Sequence, residues 1–294
     1  MERTFFIVNP TSGLSKVARL KRRLLDIVAT TPYTDAAVLT GPKDAADIAR
    51  DAANQGYERV IVAGGDGTMN HVINGIGDSK VAVGLVPLGT GNVLAYDLGL
   101  HPNNITQALA VIEANKIKEV DLGKAGDRRF LLMAGLGFDS EVVSSVSTKL
   151  KGTMGRLAYA PALLKQFITS RPSQYRLIFE DGSDHTACAY TVVVSNCGSF
   201  VYNFRVAPTA CFDDGILDVL VFECTPAMKF RFLIWLLSSL FTHRVMDFHA
   251  TSFKVSRVHI DASPPVRMQL DGDVYGESGV DIEVLPKALR LIVP

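Results

Sequence analysis

The chain opens on an alternation of short apolar runs and longer stretches with helical spacing. "FFIVNP" (Phe5–Pro10) predicts a strand that ends in a turn. From Leu14 to Val28, the apolar positions Leu14, Val17, Leu20, Leu24, Ile27 and Val28 recur at helical spacing, with Lys16, Arg19, Lys21, Arg22 and Arg23 among them. "AAVLT" (Ala36–Thr40) predicts a second strand, and "DAADIARDAANQG" (Asp44–Gly56) an alanine-rich helix that Gly56 can cap. "RVIVAGG" (Arg59–Gly65) predicts a third strand; Met69, Val72, Ile73 and Ile76 form the apolar face of the next helix. "VAVGLVPLG" (Val81–Gly89) predicts a fourth strand, followed by helices at Asn92–Leu98 and Ile105–Asn115. Strands alternating with helices in this way imply a parallel sheet covered on both faces.

After Asp121 the texture changes. "FLLMAGLGF" (Phe130–Phe138), "YRLIFED" (Tyr175–Asp181), "ACAYTVVVSN" (Ala187–Asn196), "ILDVLVFE" (Ile216–Glu223), "RVHIDA" (Arg257–Ala262), "VRMQLDGD" (Val266–Asp273) and "VDIEVLP" (Val280–Pro286) predict strands, most of them separated by turn residues. Helical segments at Arg156–Thr169 and Pro226–Phe241 interrupt them. So many strands with so few helices predict an antiparallel β-sandwich. The last run, "ALRLIVP" (Ala288–Pro294), is a further short strand that can return to the first domain. The expected fold is therefore an α/β domain over residues 1–122, joined again by 286–294, and a β-sandwich domain over 123–285.

Composition narrows the function classes. The chain has 294 residues, enough for two domains, and zero formal net charge. A nucleic-acid binder would carry a basic excess, so no nucleic-acid partner is expected. The charge is unevenly spread: six basic residues and no acid lie between Val142 and Phe179, and Lys229, Arg231 and Arg244 stand without an acid between Cys224 and Met246. "MERTFFIVNP" does not have the form of a signal peptide, and no apolar run is long enough to span a bilayer. Cys188, Cys197, Cys211 and Cys224 make no C-x-x-C pair, so they read as reduced thiols in the core of a cytoplasmic protein.

The chemistry concentrates at three strand ends: "NPTSG" (Asn9–Gly13), "GGDGT" (Gly64–Thr68) and "PLGTGN" (Pro87–Asn92). Ligands of open α/β sheets sit at the carboxyl ends of the strands. Glycine lets the backbone approach an anion closely, and the following helix offers free N–H groups at its positive end. Three such loops on one sheet edge can surround a nucleotide triphosphate, with Thr40 as a fourth candidate. The pattern is neither G-x-x-x-x-G-K-[ST] nor G-x-G-x-x-G followed by a distant acid, so neither a P-loop nor a dinucleotide fingerprint is present.

"GGDGTMNHVING" with "PLGTGN" and "NPTSG", reinforced by "DDGILDV" and "QLDGD", resembles the diacylglycerol kinase catalytic family, which includes bacterial lipid kinases and sphingosine kinases. The resemblance covers essentially the whole chain. NAD kinases share "GGDGT", but where they carry N-x-G-x-L-G-F this chain has "PLGTGNVLA". The resemblance implies ATP held by Asn9, Pro10, Thr11, Ser12, Gly13, Thr40, Gly65, Asp66, Gly67, Thr68, Met69, Asn70, His71 and Thr90. It puts Asp66 and Asp121 in an acidic network around magnesium at the phosphates. Asp273, the last residue of "DGD", falls where the family has the glutamate proposed as general base. A structural Mg2+ is implied at the carbonyls of Cys211 and Ile216 and the carboxylate of Asp214, an all-oxygen set that suits this ion. The chain departs from the family at His71 and Asp273, both usually glutamate, and at Val93, where many diacylglycerol kinases carry aspartate.

The activity this resemblance implies is that of an ATP- and magnesium-dependent lipid kinase acting on a diacylglycerol- or sphingosine-like hydroxyl. "KFRFLIWLLSSLFTHR" (Lys229–Arg244) joins aromatic residues to flanking bases, and its ends are candidates for peripheral contact with an anionic membrane. A homodimer is compatible with all of this. Two other readings stay open at this point: a non-catalytic nucleotide- or lipid-binding regulator that kept the fold, and an NAD kinase-like enzyme.

Overall fold

Four of the apolar runs become the strands of a parallel sheet. The computed structural model describes residues 2–13, 17–41, 44–145, 169–201, 204–205, 207, 209–225 and 250–294. They fall into two units: the residues up to Val120 with Lys287–Pro294, and those between Asp121 and Pro286. In the first unit β1 (Thr4–Val8), β2 (Thr34–Val38), β3 (Arg59–Gly64) and β4 (Ala82–Pro87) run parallel in the order β2-β1-β3-β4. Thr4 lies opposite both Thr34 and Arg59, and Arg59 opposite Ala82. Val60, Ile61, Val62, Val83 and Val86 are fully buried, as strands covered on both faces must be. The cover does not extend to the edge strand β2, where Val38 is exposed.

Among the described residues five helices accompany this sheet: α1 (Ala18–Thr30), α2 (Asp44–Asn54), α3 (Asp66–Ile76), α4 (Val93–Asp97) and α5 (Ile105–Ala114). The alanines of α2 have a packing reason. Ala45, Ala49 and Ala52 are buried, and the backbone of α2 comes so close to α3 that a Cβ on Gly75 would lie 2.1 Å from the Ala46 carbonyl oxygen.

The second unit is antiparallel. It holds the end of β5 (Ile117–Ala125), β6 (Arg128–Phe130), β7 (Met133–Gly137), α6 (Phe138–Ser145), β8 (Ser173–Phe179), β9 (Asp184–Ser195), the short pair β10 (Ser199–Val201) and β11 (Phe204–Arg205), β12 (Leu217–Glu223), β13 (Thr251–Val255), β14 (Arg257–Ser263), β15 (Arg267–Leu270) and β16 (Asp273–Glu277). β9 pairs with β12 along one side and with β7 and then β8 along the other. In β8, Ser173, Tyr175 and Leu177 point inward while Gln174 and Arg176 are exposed, the alternation of a strand with one buried face. Tyr175 and Leu177 share one core with Phe130, Leu136, Val192, Val219, Ile260, Met268 and Ile282.

Two expectations change. "VDIEVLP" and "ALRLIVP" are one strand, β17 (Val280–Ile292), whose first part pairs antiparallel with β14 and whose end pairs parallel with β4, Arg290 opposite Ala82. Lys287 takes φ +53° where the strand changes partners. The four reduced core thiols are corrected: Cys188 and Cys224 form a disulfide, Cys197 is buried and Cys211 exposed. Cys188 and Cys224 stand 36 residues apart in sequence. The β9–β12 ladder, with Ala189 opposite Glu223, makes the two cysteines cross-strand neighbours. The expected helices at 156–169 and 226–241, and with them the aromatic, basic segment 229–244, lie outside the described residues apart from Thr169. No described helix is long and apolar enough to cross a membrane.

Candidate active site

The three glycine loops meet at the carboxyl ends of β1, β3 and β4. Asn9, just past β1, donates from Nδ2 to Thr68 Oγ1 at 2.8 Å, and its Oδ1 accepts from the N–H and the hydroxyl of Thr11, each at 2.9 Å. Gly13 has φ +74°, and a Cβ there would lie 2.3 Å from the Leu88 carbonyl oxygen. Only glycine meets both conditions. Lys21 of α1 reaches back under the loop and donates to the carbonyls of Pro10 at 2.7 Å and Ser12 at 2.5 Å. Burial lowers its ammonium pKa from the ordinary value.

Asp66 opens α3, yet its carboxylate serves a different helix. Oδ2 accepts from Val93 N–H at 3.1 Å and Oδ1 from Leu94 N–H at 3.2 Å, capping α4. Burial raises this carboxyl's pKa, and the Val93 and Leu94 amides pull against it. Asn92 takes a left-handed φ of +51° and closes a ring on Gly89, accepting from its N–H at 2.9 Å and donating to its carbonyl at 2.8 Å. Gly65 and Gly89 touch: a Cβ on Gly89 would lie 2.4 Å from the Gly65 Cα. Gly67 differs from both. It sits in the first turn of α3, and a Cβ there would meet nothing within 4 Å. Packing therefore requires glycine at 89 and is tight at 65, whereas at 67 the surface is open.

The other nucleotide candidates are placed unevenly. Thr68, Met69 and Asn70 are buried, so the last two belong to the interior face of α3. His71 and Thr90 are partly exposed. Thr40 donates from N–H and hydroxyl to Asp44 Oδ2, at 3.1 and 2.5 Å, and so helps to form the turn that enters α2.

In the second unit Asp121 is almost wholly buried at the "CFDDGILDV" turn. Its N–H donates to the Phe212 carbonyl at 2.6 Å and its Oδ2 accepts from Gly215 N–H at 2.7 Å. Cys211 Sγ contacts Asp213 Oδ1 at 3.0 Å, which raises the thiol's pKa. Asp214 is exposed, and its Oδ1 accepts from Ile216 N–H at 3.2 Å. The structure thus brings Asp121 to the residues expected to hold a structural ion.

Asp273 opens β16. It is partly exposed and stands 3.7 Å from Arg128 Nη2. The turn before it is built by residues that sequence reasoning did not single out. Asp271 has φ +48° and is buried; its Oδ2 accepts from Leu131 N–H at 2.8 Å and its Oδ1 from Leu132 and Met133 N–H at 2.9 and 3.0 Å. Asn196, fully buried, donates to the carbonyls of Asp121 at 2.9 Å and Leu131 at 2.8 Å, and so links both acidic turns. A polar Asn closing the apolar run "TVVVSN" was the available signal for it.

A parallel sheet whose loops join through an aspartate-capped helix, in a chain that also carries an antiparallel β unit, is an architecture this chain shares with known kinases. Residues 3–125 match the diacylglycerol kinase catalytic domain, and residues 133–293 match the YegS C-terminal NAD kinase beta sandwich-like domain. The chain is 27% identical to a diacylglycerol kinase of Bacillus subtilis over 100% of its own length and 97% of that protein's. It is 30% identical to a Chromohalobacter salexigens protein named "probable lipid kinase YegS-like", over 85% and 81% of the two chains. A crystal structure of a Bacillus anthracis diacylglycerol kinase has the same fold, with a TM-score of 0.79 at 24% identity over 100% and 97% of the two chains. Yeast NADH kinase is a more distant likeness, with a TM-score of 0.55 at 12% identity over 99% and 82%. The chain belongs to the diacylglycerol kinase catalytic-domain family and is a phosphotransferase of the lipid kinase class.

Proposed function

We propose that this lipid kinase transfers the γ-phosphoryl group of ATP to the hydroxyl of a membrane lipid of the diacylglycerol or sphingosine kind. The observation that carries the reading is the joining of three glycine loops at one sheet edge, tied by Asn9 to Thr68 and by Asp66 to Val93 and Leu94. The first-turn N–H groups of α3 stand beside Gly67, where no side chain bars a phosphate. Asp273 takes the proton as the acceptor oxygen attacks phosphorus and the bond to the ADP oxygen breaks. Aspartate is one methylene shorter than glutamate, so the acceptor hydroxyl must come closer to the backbone.

Magnesium belongs to the same reading, and the residues present fit it. Among the described residues no three His, Cys, Asp or Glu side chains cluster as a metal site. The expected structural site needs only one of them, since Asp214 would be joined by the carbonyls of Cys211 and Ile216. The Cys211 thiol is turned to Asp213, which leaves an all-oxygen set. At the phosphates the ion would neutralise charge, with Asp66 and Asp121 as the acidic positions.

The test is transfer of labelled phosphate from ATP to a panel of lipids in mixed micelles, with NAD included as acceptor. Labelling of a lipid that depends on added magnesium and is lost in Asp273→Asn supports the reading. Labelling of NAD alone would overturn it. ATP binding without transfer to any acceptor would instead leave a nucleotide-binding regulator.

A further inference from the structure

The turn that presents Asp273 is held from behind by a relay of side chains. Gly272 N–H donates to Gln269 Oε1 at 2.6 Å, and Gln269 Nε2 donates to Asp139 Oδ2 at 2.6 Å. A main-chain N–H can only donate, so the Gln269 amide has one orientation and its NH2 end must face an acceptor. Asp139, in the first turn of α6, supplies it. Gln269 is only 2% exposed, so leaving either end of its amide unmade would be costly.

A second observation shows that the relay has been given room. Gln269 lies opposite Gly135 across the β15–β7 ladder. A Cβ on Gly135 would fall 1.9 Å from Asp139 Oδ2 and 2.8 Å from Gln269 Nε2. The side chain missing at 135 is the space the Asp139 carboxylate crosses to reach Gln269. Gly272 itself has φ +89° and follows Asp271 at φ +48°. Two successive left-handed residues need outside support, and the hydrogen bonds of Asp271 and Gln269 provide it.

We propose that Asp139 and Gln269 are positioning residues of the phosphoryl transfer: by holding Gly272 they aim the Asp273 carboxylate at the acceptor hydroxyl. The inference rests on the reading of Asp273 as general base. Neither residue touches the reacting atoms.

The test is a double-mutant cycle on the full-length enzyme with its best lipid acceptor. Gln269→Met keeps the length of the side chain and removes both hydrogen bonds. It should lower kcat about 10- to 100-fold, the scale of a misplacement of about 1 Å, while ATP affinity stays unchanged. Asp139→Asn keeps an acceptor for Gln269 and should retain most of the activity, whereas Asp139→Leu should match Gln269→Met. In an Asp273→Asn background Gln269→Met should cost nothing further, because its effect passes through Asp273. If Gln269→Met does not fold, Asp139→Leu replaces it in the cycle. An unchanged kcat in the single variant, or a loss that adds in full to that of Asp273→Asn, overturns the relay. An Asp273→Asn enzyme as fast as wild type overturns the general-base reading, and is recognised from that variant alone.

Discussion

Asp66 accepts the main-chain N–H of Val93 at 3.1 Å, so a residue of one glycine loop caps the helix that follows another. The acid that labels the motif is thereby a structural joint as well as a candidate for the magnesium network. Asp66→Asn replaces one accepting oxygen with an NH2 group facing helix donors. Loss of a cap of this kind costs about 0.5–2 kcal/mol, so the variant should melt earlier even without nucleotide. A melting curve identical to wild type would show that the cap contributes nothing.

Gly67→Ala separates ligand approach from folding. Outside its own helix backbone and chain neighbours the added methyl meets no described atom within 4 Å, and alanine in a helix is favoured over glycine by about 0.5–1 kcal/mol. The variant should keep or slightly raise its melting temperature and lose most of its ATP affinity in calorimetry. Unchanged affinity would remove α3 from the nucleotide site. Gly89→Ala should behave in the opposite way, destabilising the fold through contact with Gly65.

Asp214 tests the structural ion. Wild-type enzyme should melt at lower temperature after chelation and recover with excess magnesium, because a ligand that binds only the folded state stabilises it. Asp214→Ala should melt at the lower temperature under both conditions. A wild-type curve indifferent to chelator would leave "DDG" as a plain turn.

Asp139 should make stability depend on pH. Burial raises its carboxyl from 3.8 to about 6, with the Gln269 hydrogen bond opposing the shift. A carboxyl raised on folding binds more protons folded than unfolded, so its contribution to stability falls as pH rises from about 4 to about 6. Burial also raises the neighbouring Glu141, with Arg267 opposing, and that group is the same in wild type and Asp139→Asn. Over this window the melting temperature of Asp139→Asn should gain on that of wild type as pH rises. A constant difference between the two would show that Asp139 titrates normally.

The alternation of apolar runs with helical spacing was enough to identify β1, β3, β4 and α2 to α5, because a buried parallel strand and an amphipathic helix each write their period directly into the chain. The glycine loops were legible for the same local reason: a bare backbone at a strand-to-helix junction has few uses. Strands with mixed polarity, such as β5, β13 and β16, were not legible, since their pairing and not their composition makes them strands. The roles of individual polar residues were hidden most completely. Asp66 meets the N–H of Val93 27 positions away, Asn196 joins Asp121 to Leu131 from 75 and 65 positions away, and Gln269 finds Asp139 at a separation of 130. Gly135 reads as an ordinary small residue in "MAGLG" until β15 is laid beside β7. A hydrogen bond is decided by distance and direction in space, and sequence carries neither for residues so far apart. The chain by itself thus determined the class of fold and the location of the glycine loops. Only the tertiary structure decided which carboxylates hold turns and helix ends in place, as Asp66 does for α4 and Asp271 for the turn before β16.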